Sequence, residues 1–477
     1  MIKKKFYSVE EASKLEINEI KELYFNFINP NQTKIFSTLP FGNELFVKAE
    51  GIYLYTSDGK KIYDFTGGGG VLGLGHNHPR ILQSRINFQL DKKTEVHKII
   101  FSKYMAALSS SLAYLLPKKL NKSFFLNSGA EAIEAAIKIS YKFFDGTRKF
   151  ILHSDKSYHG KLIASGSISG QYKSKHTLPL IENTFDYKFN DEKDLENKIN
   201  ECMKKGGVYA VVIEPFSASL LEPHSQQFME KLFELKKKYN FIIIFDEVFT
   251  GFYKSKKMFY FQNYKKIEPD LICLSKTLGG GKSSISAIVT NDDVYAKVYK
   301  NISDTFLHTT TYNAFGEESV TALEALNIIN ESNFEKEVSS QADLINQELI
   351  KLKNKHKNKI KEIKGTGILN GIIFDSFLTP LTKFVEKIPI KFINNKVFFM
   401  NKLTATAISS ELYKSYNILT YINDSSVSNH LVVSPSLKTK HEDIKYFFNS
   451  LDDCLNKNIN LKTIELIFDF LKSNFKL

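Results

Sequence analysis

Two residues stand where apolar runs give way to polar sequence, and together they could divide a piece of chemistry. Lys276 follows DLICLS and precedes TLGGG, so it closes a strand-like run just ahead of three glycines. A lysine enclosed there is costly to keep charged and needs either a partner or a chemical use. One use is condensation with an aldehyde, which requires the amine to lose its proton, as burial and nearby positive charge encourage. Asp246 closes the run FIIIF. A carboxylate there could pair with a protonated pyridine nitrogen, so that an aldehyde-bearing ring draws electrons from an attached carbanion. Taken singly, each also has a plain structural reading: Asp246 as a helix-starting acid, Lys276 as a loop residue.

Two further segments supply what such a ring would need. Ser128, Gly129 and Ala130 fall where the apolar run SFFL meets the helix pattern AEAIEAAIKIS. Backbone N–H groups at that junction can hold a phosphate against the positive end of a helix, although Ser128 reads equally well as an ordinary helix cap. Tyr158, His159 and Gly160 follow KFILHS and put an aromatic face after a strand, suited to stacking on a ring or to a surface turn.

These residues must be positioned by something, and the pattern around them says what. From about Lys122, short β-branched or aromatic runs alternate with longer helix-periodic segments, the signature of crossover units around a mostly parallel sheet. SFFL, KFILHS, VYAVVI, FIIIF and DLICL are each followed at once by polar or small residues. Open parallel sheets place ligands beyond the carboxyl ends of their strands, so the five junctions are expected to converge on one site. LFVKAEGIYLYTSDGKKIYDF alternates as a hairpin with Asp58-Gly59 at its turn. The predicted organisation is a segment 1–90 contributing to a small domain, a large domain 91–330 and a carboxy-terminal small domain 331–477. The last carries an insertion near 376–409 and an extra terminal helix. GGGKSS resembles the end of a phosphate loop, but Lys276 stands where that motif needs its first glycine; GLGHNH and GTGILN each lack the third glycine of a dinucleotide fingerprint.

The whole-chain numbers exclude several classes. The 477 residues are 43% hydrophobic, enough to bury a substantial core. A net charge of +13 comes almost wholly from lysine, the only arginines being Arg80, Arg85 and Arg148, and is read as solvated helix faces rather than a nucleic-acid surface. Cys202, Cys273 and Cys454 are too far apart for a disulfide framework or a metal site. With no signal-peptide pattern and no membrane-length apolar run, a soluble cytoplasmic protein is expected, without a membrane or nucleic-acid partner.

NSGAEAIEAAIKIS, SYHG, VVIEPFSAS, IIIFDEVFTGF, PDLICLSKTLGGG and LHTTTYNAFGEES occur in the order and approximate spacing of the class III (subgroup III) aminotransferases of fold type I, which use pyridoxal 5′-phosphate. GIYLYTSDGKKIYDFTGGGGVLGLGHNHP resembles that family's amino-terminal segment, and the resemblance covers roughly Leu39 to Leu455. It implies an α/β fold: a seven-stranded, mostly parallel sheet flanked by helices, plus a smaller α+β domain. It implies a transaminase of biosynthetic metabolism, moving an amino group from an amine or amino acid donor to a carbonyl acceptor. Lys276 would be the Schiff-base lysine and proton carrier, Asp246 the partner of the pyridine nitrogen and Tyr158 the stacking aromatic beside His159. Ser128, Gly129 and Ala130 would bind the cofactor phosphate, and Thr311 would reach the phosphate in a neighbouring subunit, making a homodimer the active unit. Glu214 and Glu247 would support the site. Lys276 and Asp246 would also serve an aminomutase, a decarboxylase or a racemase, and a silent binding relative is the reading from another class.

The chain departs from the family at telling places. Phe249 stands where many members of that family have a glutamine that reaches the cofactor's ring oxygen, a position the family varies. Val432 stands where an arginine often holds an α-carboxylate, and Ser219 where that arginine's acidic partner stands. Losing both members is coherent, because either charge alone in a closed pocket would be expensive. At least one substrate is therefore expected not to be an ordinary α-amino acid held by its α-carboxylate: an aldehyde, a terminal amine or a carrier-linked intermediate fits better.

Overall fold

The computed structural model describes residues 4–95, 99–171, 180–313, 315–375, 396–423, 428–457, 459 and 462–463, the side chains of 396–400 apart. Most of the expected insertion, 376–395, and the terminal extension from 464 lie outside them.

The alternating stretch near the amino end folds as β1 (Phe46–Glu50), β2 (Tyr53–Thr56) and β3 (Lys61–Asp64). The β2–β3 hairpin turns through Asp58 and Gly59, with Tyr53 opposite Tyr63, and Gly59 takes the left-handed φ of 85° that the turn requires. After β3, Gly67 to Gly70 run through positive φ values of 54°, 58°, 65° and 92°. Four successive left-handed residues are open only to glycine at low cost, so the GGGG run is a conformational requirement.

The central sheet is built from β4 (Leu120–Leu126), β5 (Phe150–Ser154), β6 (Thr184–Tyr187) and β7 (Val208–Ile213). After a short hairpin of β8 (Phe216–Ser217) and β9 (Glu222–Pro223) come β10 (Ile242–Asp246), β11 (Leu271–Leu274) and β12 (Ser286–Asn291). Its seven strands lie in the order β4-β12-β11-β10-β7-β5-β6. Only β12 runs against the others. Strands such as IIIFD have no polar face, so both sides must be covered. Along β10 this is met by alternation: Ile242 and Ile244 pack with Ala132, Ile133 and Ala136 of the helix Gly129–Phe143, while Ile243 and Phe245 join the larger core on the opposite face.

Later strands complete the molecule. β13 (Ile360–Thr366), β14 (Leu369–Phe374), β16 (Tyr421–Ile422) and β17 (Leu431–Val433) form an antiparallel sheet in the order β13-β14-β17-β16. β15 (Ile418–Leu419) instead pairs parallel to β3, opposite Tyr63 and Asp64. One sheet thus draws on residues more than 350 positions apart, which no local periodicity announces. No helix among the described residues is long and apolar enough to cross a membrane.

Candidate active site

All five predicted junctions meet at one cavity of about 360 Å³. Its walls are Gly129 and Ala130 after β4, Tyr158 to Leu162 after β5, Glu214 and Ala218 after β7, Asp246, Val248 and Phe249 at the end of β10, and Ser275 and Lys276 after β11. Six strands share one direction, so their carboxyl ends open on the same edge and their loops crowd into one crevice.

Lys276 opens a short 3₁₀ turn, Lys276–Gly279, and carries a left-handed φ of 53°. A side chain with a Cβ is strained there, a cost the surrounding packing must sustain. Burial holds its amine below the ordinary lysine value, opposed by the carboxylates of Asp246 and Glu214. Among the described residues it forms no ion pair, and its Nζ lies 4.6 Å from the centre of the Phe249 ring. An uncharged nucleophilic amine is therefore accessible at lower pH than for a solvated lysine.

Asp246 is held from behind. One carboxylate oxygen lies 2.8 Å from His159 Nδ1, and the other accepts the Val248 N–H at 3.0 Å. The His159 side chain is wholly buried, so it acts on Asp246 as a fixed brace. Glu214 is also a brace: it accepts the N–H groups of Tyr158 and Ala218, each at 2.9 Å, tying the loop after β5 to the loop after β7. Burial pushes its carboxyl up to about 7, with His159 opposing the shift and Asp246 adding to it.

The helix Gly129–Phe143 presents its amino end to the cavity. Ser128 caps it, its hydroxyl accepting the Glu131 N–H while the Glu131 carboxylate receives the Ser128 N–H at 2.8 Å. Ser128 is thus a cap and does not line the cavity, whereas the N–H groups of Gly129 and Ala130 have no acceptor among the described residues. A Cβ on Gly129 would stand 2.8 Å from Val248 Cγ1, so only glycine allows the helix to approach the end of β10 this closely. Thr311 sits on an exposed turn and does not line the cavity.

Glu247 adjoins Asp246 in sequence but faces away. It accepts the Thr250 hydroxyl and, at 2.8 Å, the Phe261 N–H, and burial pushes its carboxyl up to about 7. A carboxyl raised from about 4.5 to about 7 on folding stabilises the fold fully below pH 4.5, and that contribution is lost as pH rises toward 7. Glu247→Gln keeps an acceptor for Phe261 and offers a donor to Thr250. We expect it to remove about 2 kcal/mol of the fall in stability between pH 5 and 7.5, read by chemical denaturation across that range; an unchanged slope would refute the assignment.

Lys254 had no signal in the sequence. It is 1% exposed, donates to the Gly70 carbonyl at 3.0 Å, and is held well below the ordinary lysine value by burial, with the Lys276 charge adding to the shift. The Thr277 hydroxyl donates to the same carbonyl at 3.2 Å. The residue after Lys276 and a buried amine therefore pin the glycine run together.

A family model described as Aminotransferase class-III matches residues 42–403, and the chain belongs to that family of enzymes. Solved structures share the fold. The adenosylmethionine-8-amino-7-oxononanoate aminotransferase of Methanocaldococcus jannaschii superposes with a TM-score of 0.78 at 23% identity, over 92% of this chain and 99% of that one. A transaminase from the marine bacterium Virgibacillus gives 0.76 at 18% identity, over 89% and 94%. The ornithine aminotransferase of Toxoplasma gondii, with PLP at partial occupancy in its active site, gives 0.72 at 20% identity, over 93% and 98%.

Proposed function

We propose that this chain holds pyridoxal 5′-phosphate at the crevice and uses Lys276 and Asp246 to move an amino group between an amine and a carbonyl compound. The observation that carries the reading is the convergence of a buried amine, a braced carboxylate and two unpaired helix-end amides on one cavity. The residues fit the cofactor: Gly129 and Ala130 offer N–H groups to its phosphate at the positive helix end. Tyr158 lies in the wall to cover a ring face, and Asp246 faces the same space with its charge unshared by any lysine or arginine among the described residues.

When bound, the cofactor supplies an aldehyde carbon for an amine and a pyridine ring that takes up electrons. Lys276 would be the amine that holds the group through its Nζ, and, once free, would carry a proton as base and acid. Asp246 would stabilise a proton on the ring nitrogen, and His159 and the Val248 N–H hold its carboxylate in place. Wild-type protein should show the visible absorption of a bound aldehyde. A donor should convert it to the amine form with release of a carbonyl product; a decarboxylase, racemase or aminomutase would not leave the amine form in stoichiometric amount, and a binding relative would show no conversion.

The same reading predicts that Gly129→Ala weakens cofactor binding about tenfold, since the added methyl must displace β-branched Val248 and with it the Val248 N–H that steadies Asp246. Cofactor titration by absorbance or fluorescence checks this, and unaltered affinity would show that the approach is not needed.

Absence of a carboxylate clamp extends to all three arginines. Arg80 pairs with Glu324 at 2.7 Å and with Glu331, and Arg148 donates to the carbonyls of Val208 and Asn240. Arg85 pairs with Glu317 at 2.8 Å and reaches Ser283 and Thr321. Val432 is 1% exposed within β17 and lines neither this cavity nor its neighbour. A homodimer, which we propose as the active unit with Thr311 facing the second site, would bring only copies of the same three guanidinium groups. At least one substrate is accordingly not bound through an α-carboxylate on arginine. A cytoplasmic setting fits three cysteines that are all buried and unbridged.

A further inference from the structure

A second cavity, of about 150 Å³, adjoins the first and shares Tyr158, Ala218, Phe249 and Lys276 with it. Lys276 therefore stands between the two spaces. The remaining walls are Gly69 of the glycine run, Gln171, Ser219, and Tyr421 and Asn423 from the other end of the chain. Taking a water's share of liquid volume as about 30 Å³, it has room for about five groups of that size beside the Lys276 amine.

Apart from the Lys276 amine, the chemistry of these walls is polar without charge. Lys276 is the only ionisable amine, and among the described lining residues there is no carboxylate, guanidinium or imidazole. Ser219 Oγ accepts from Gln171 Nε2 at 2.6 Å, which leaves the Ser219 hydroxyl proton to donate elsewhere. The Asn423 amide reaches the carbonyls of Ala218 and Ser219, each at 3.4 Å, and fastens the end of β16 over the loop after β7. Tyr421 lies partly open to the space, with no hydrogen bond from its hydroxyl among the described residues. Burial lifts that phenol to about 12, so it stays a donor across the working pH range.

A buried hydrogen-bonding wall selects by what it would lose: a substrate lacking the matching group leaves the wall unpaired, and a carboxylate arriving without a cation is desolvated without compensation. We propose that the substrate carries an uncharged hydrogen-bonding group, a hydroxyl above all, on the carbon next to the one bearing nitrogen, seated between Tyr421, Ser219 and Asn423. This rests on the aminotransferase reading of Lys276 and specifies which amines it takes.

Four amines with one skeleton test it: alaninol, alaninamide, isopropylamine and alanine differ only in carrying hydroxymethyl, carboxamide, methyl or carboxylate beside the amine-bearing carbon. With the holoenzyme, conversion of the bound aldehyde band should give alaninol a kcat/KM at least about tenfold above both isopropylamine and alanine, with alaninamide also above both. Tyr421→Phe keeps the ring that packs in β16 and should cut the preference for alaninol over isopropylamine about tenfold, mainly through KM; Ser219→Ala should act in the same direction. Alanine converted as well as alaninol, a preference indifferent to Tyr421→Phe, or a band that none of the four amines shifts would overturn the proposal. A protein with no aldehyde band at all would instead overturn the reading of Lys276, and the present inference would fall with it.

Discussion

Lys276→Ala is expected to abolish the visible band of the bound cofactor and to lower turnover by about 10⁴-fold or more, because on the proposed function one amine would serve as both covalent anchor and proton carrier. The substitution is a clean test of chemistry. Alanine bears the same Cβ as lysine, so the left-handed φ of 53° costs the backbone about as much in either case. The lost methylenes border the open cavity rather than the core. The amides of Gly129 and Ala130 proposed to hold the phosphate remain, so non-covalent cofactor binding should persist while the band disappears. Retention of both band and activity would remove the basis of the proposed function.

The second large effect is at Asp246. Asp246→Asn preserves an acceptor for the Val248 N–H but removes the charge, so the carboxamide can no longer hold a proton on the ring nitrogen electrostatically. We expect kcat to fall about 10²- to 10³-fold while the aldehyde band from Lys276 is retained, the size seen when a preorganised electrostatic partner is lost from a closed site. Parallel loss of the band would instead make Asp246 a structural residue. His159→Phe, which removes the brace and leaves the charge, should weaken turnover less than Asp246→Asn, since the Val248 N–H still orients one oxygen.

The two lysines near Phe249 show how the site separates neighbouring amines. Their nitrogens lie 4.6 Å and 5.8 Å from the ring centre, Lys276 on the cavity side and Lys254 on the side of the glycine run. Where the family pattern has a glutamine for the cofactor's ring oxygen, this chain has an aromatic wall common to both cavities. Gly70 lies close against the Phe249 ring: a Cβ added at Gly70 would stand 3.2 Å from it.

Much of this site was legible in the residues alone. Short apolar runs rich in β-branched or aromatic residues and bounded by polar or small ones read as covered strands, and the loops that leave parallel strands at their carboxyl ends gather at one edge of the sheet. Lys276, Asp246, Tyr158, Gly129 and Ala130 were readable for that reason. Ser128 was ambiguous because one hydroxyl at a helix start can cap the helix or bind a ligand, and the cap with Glu131 is visible only once both side chains are placed. Glu247 was misleadingly close to Asp246, since successive residues leaving a strand point to opposite faces.

What the order of residues determined was the set of local periodicities and the chemistry stored at each junction, because both depend on neighbours a few positions away. What only the tertiary structure decided was the company those junctions keep: Tyr421 and Asn423 beside Ser219, Lys254 against Gly70, and β15 alongside β3. Those contacts span roughly 180 to 350 positions and have no period. They arise because apolar faces far apart in the chain exclude water most completely together, and that choice sets which polar groups are left to meet a substrate.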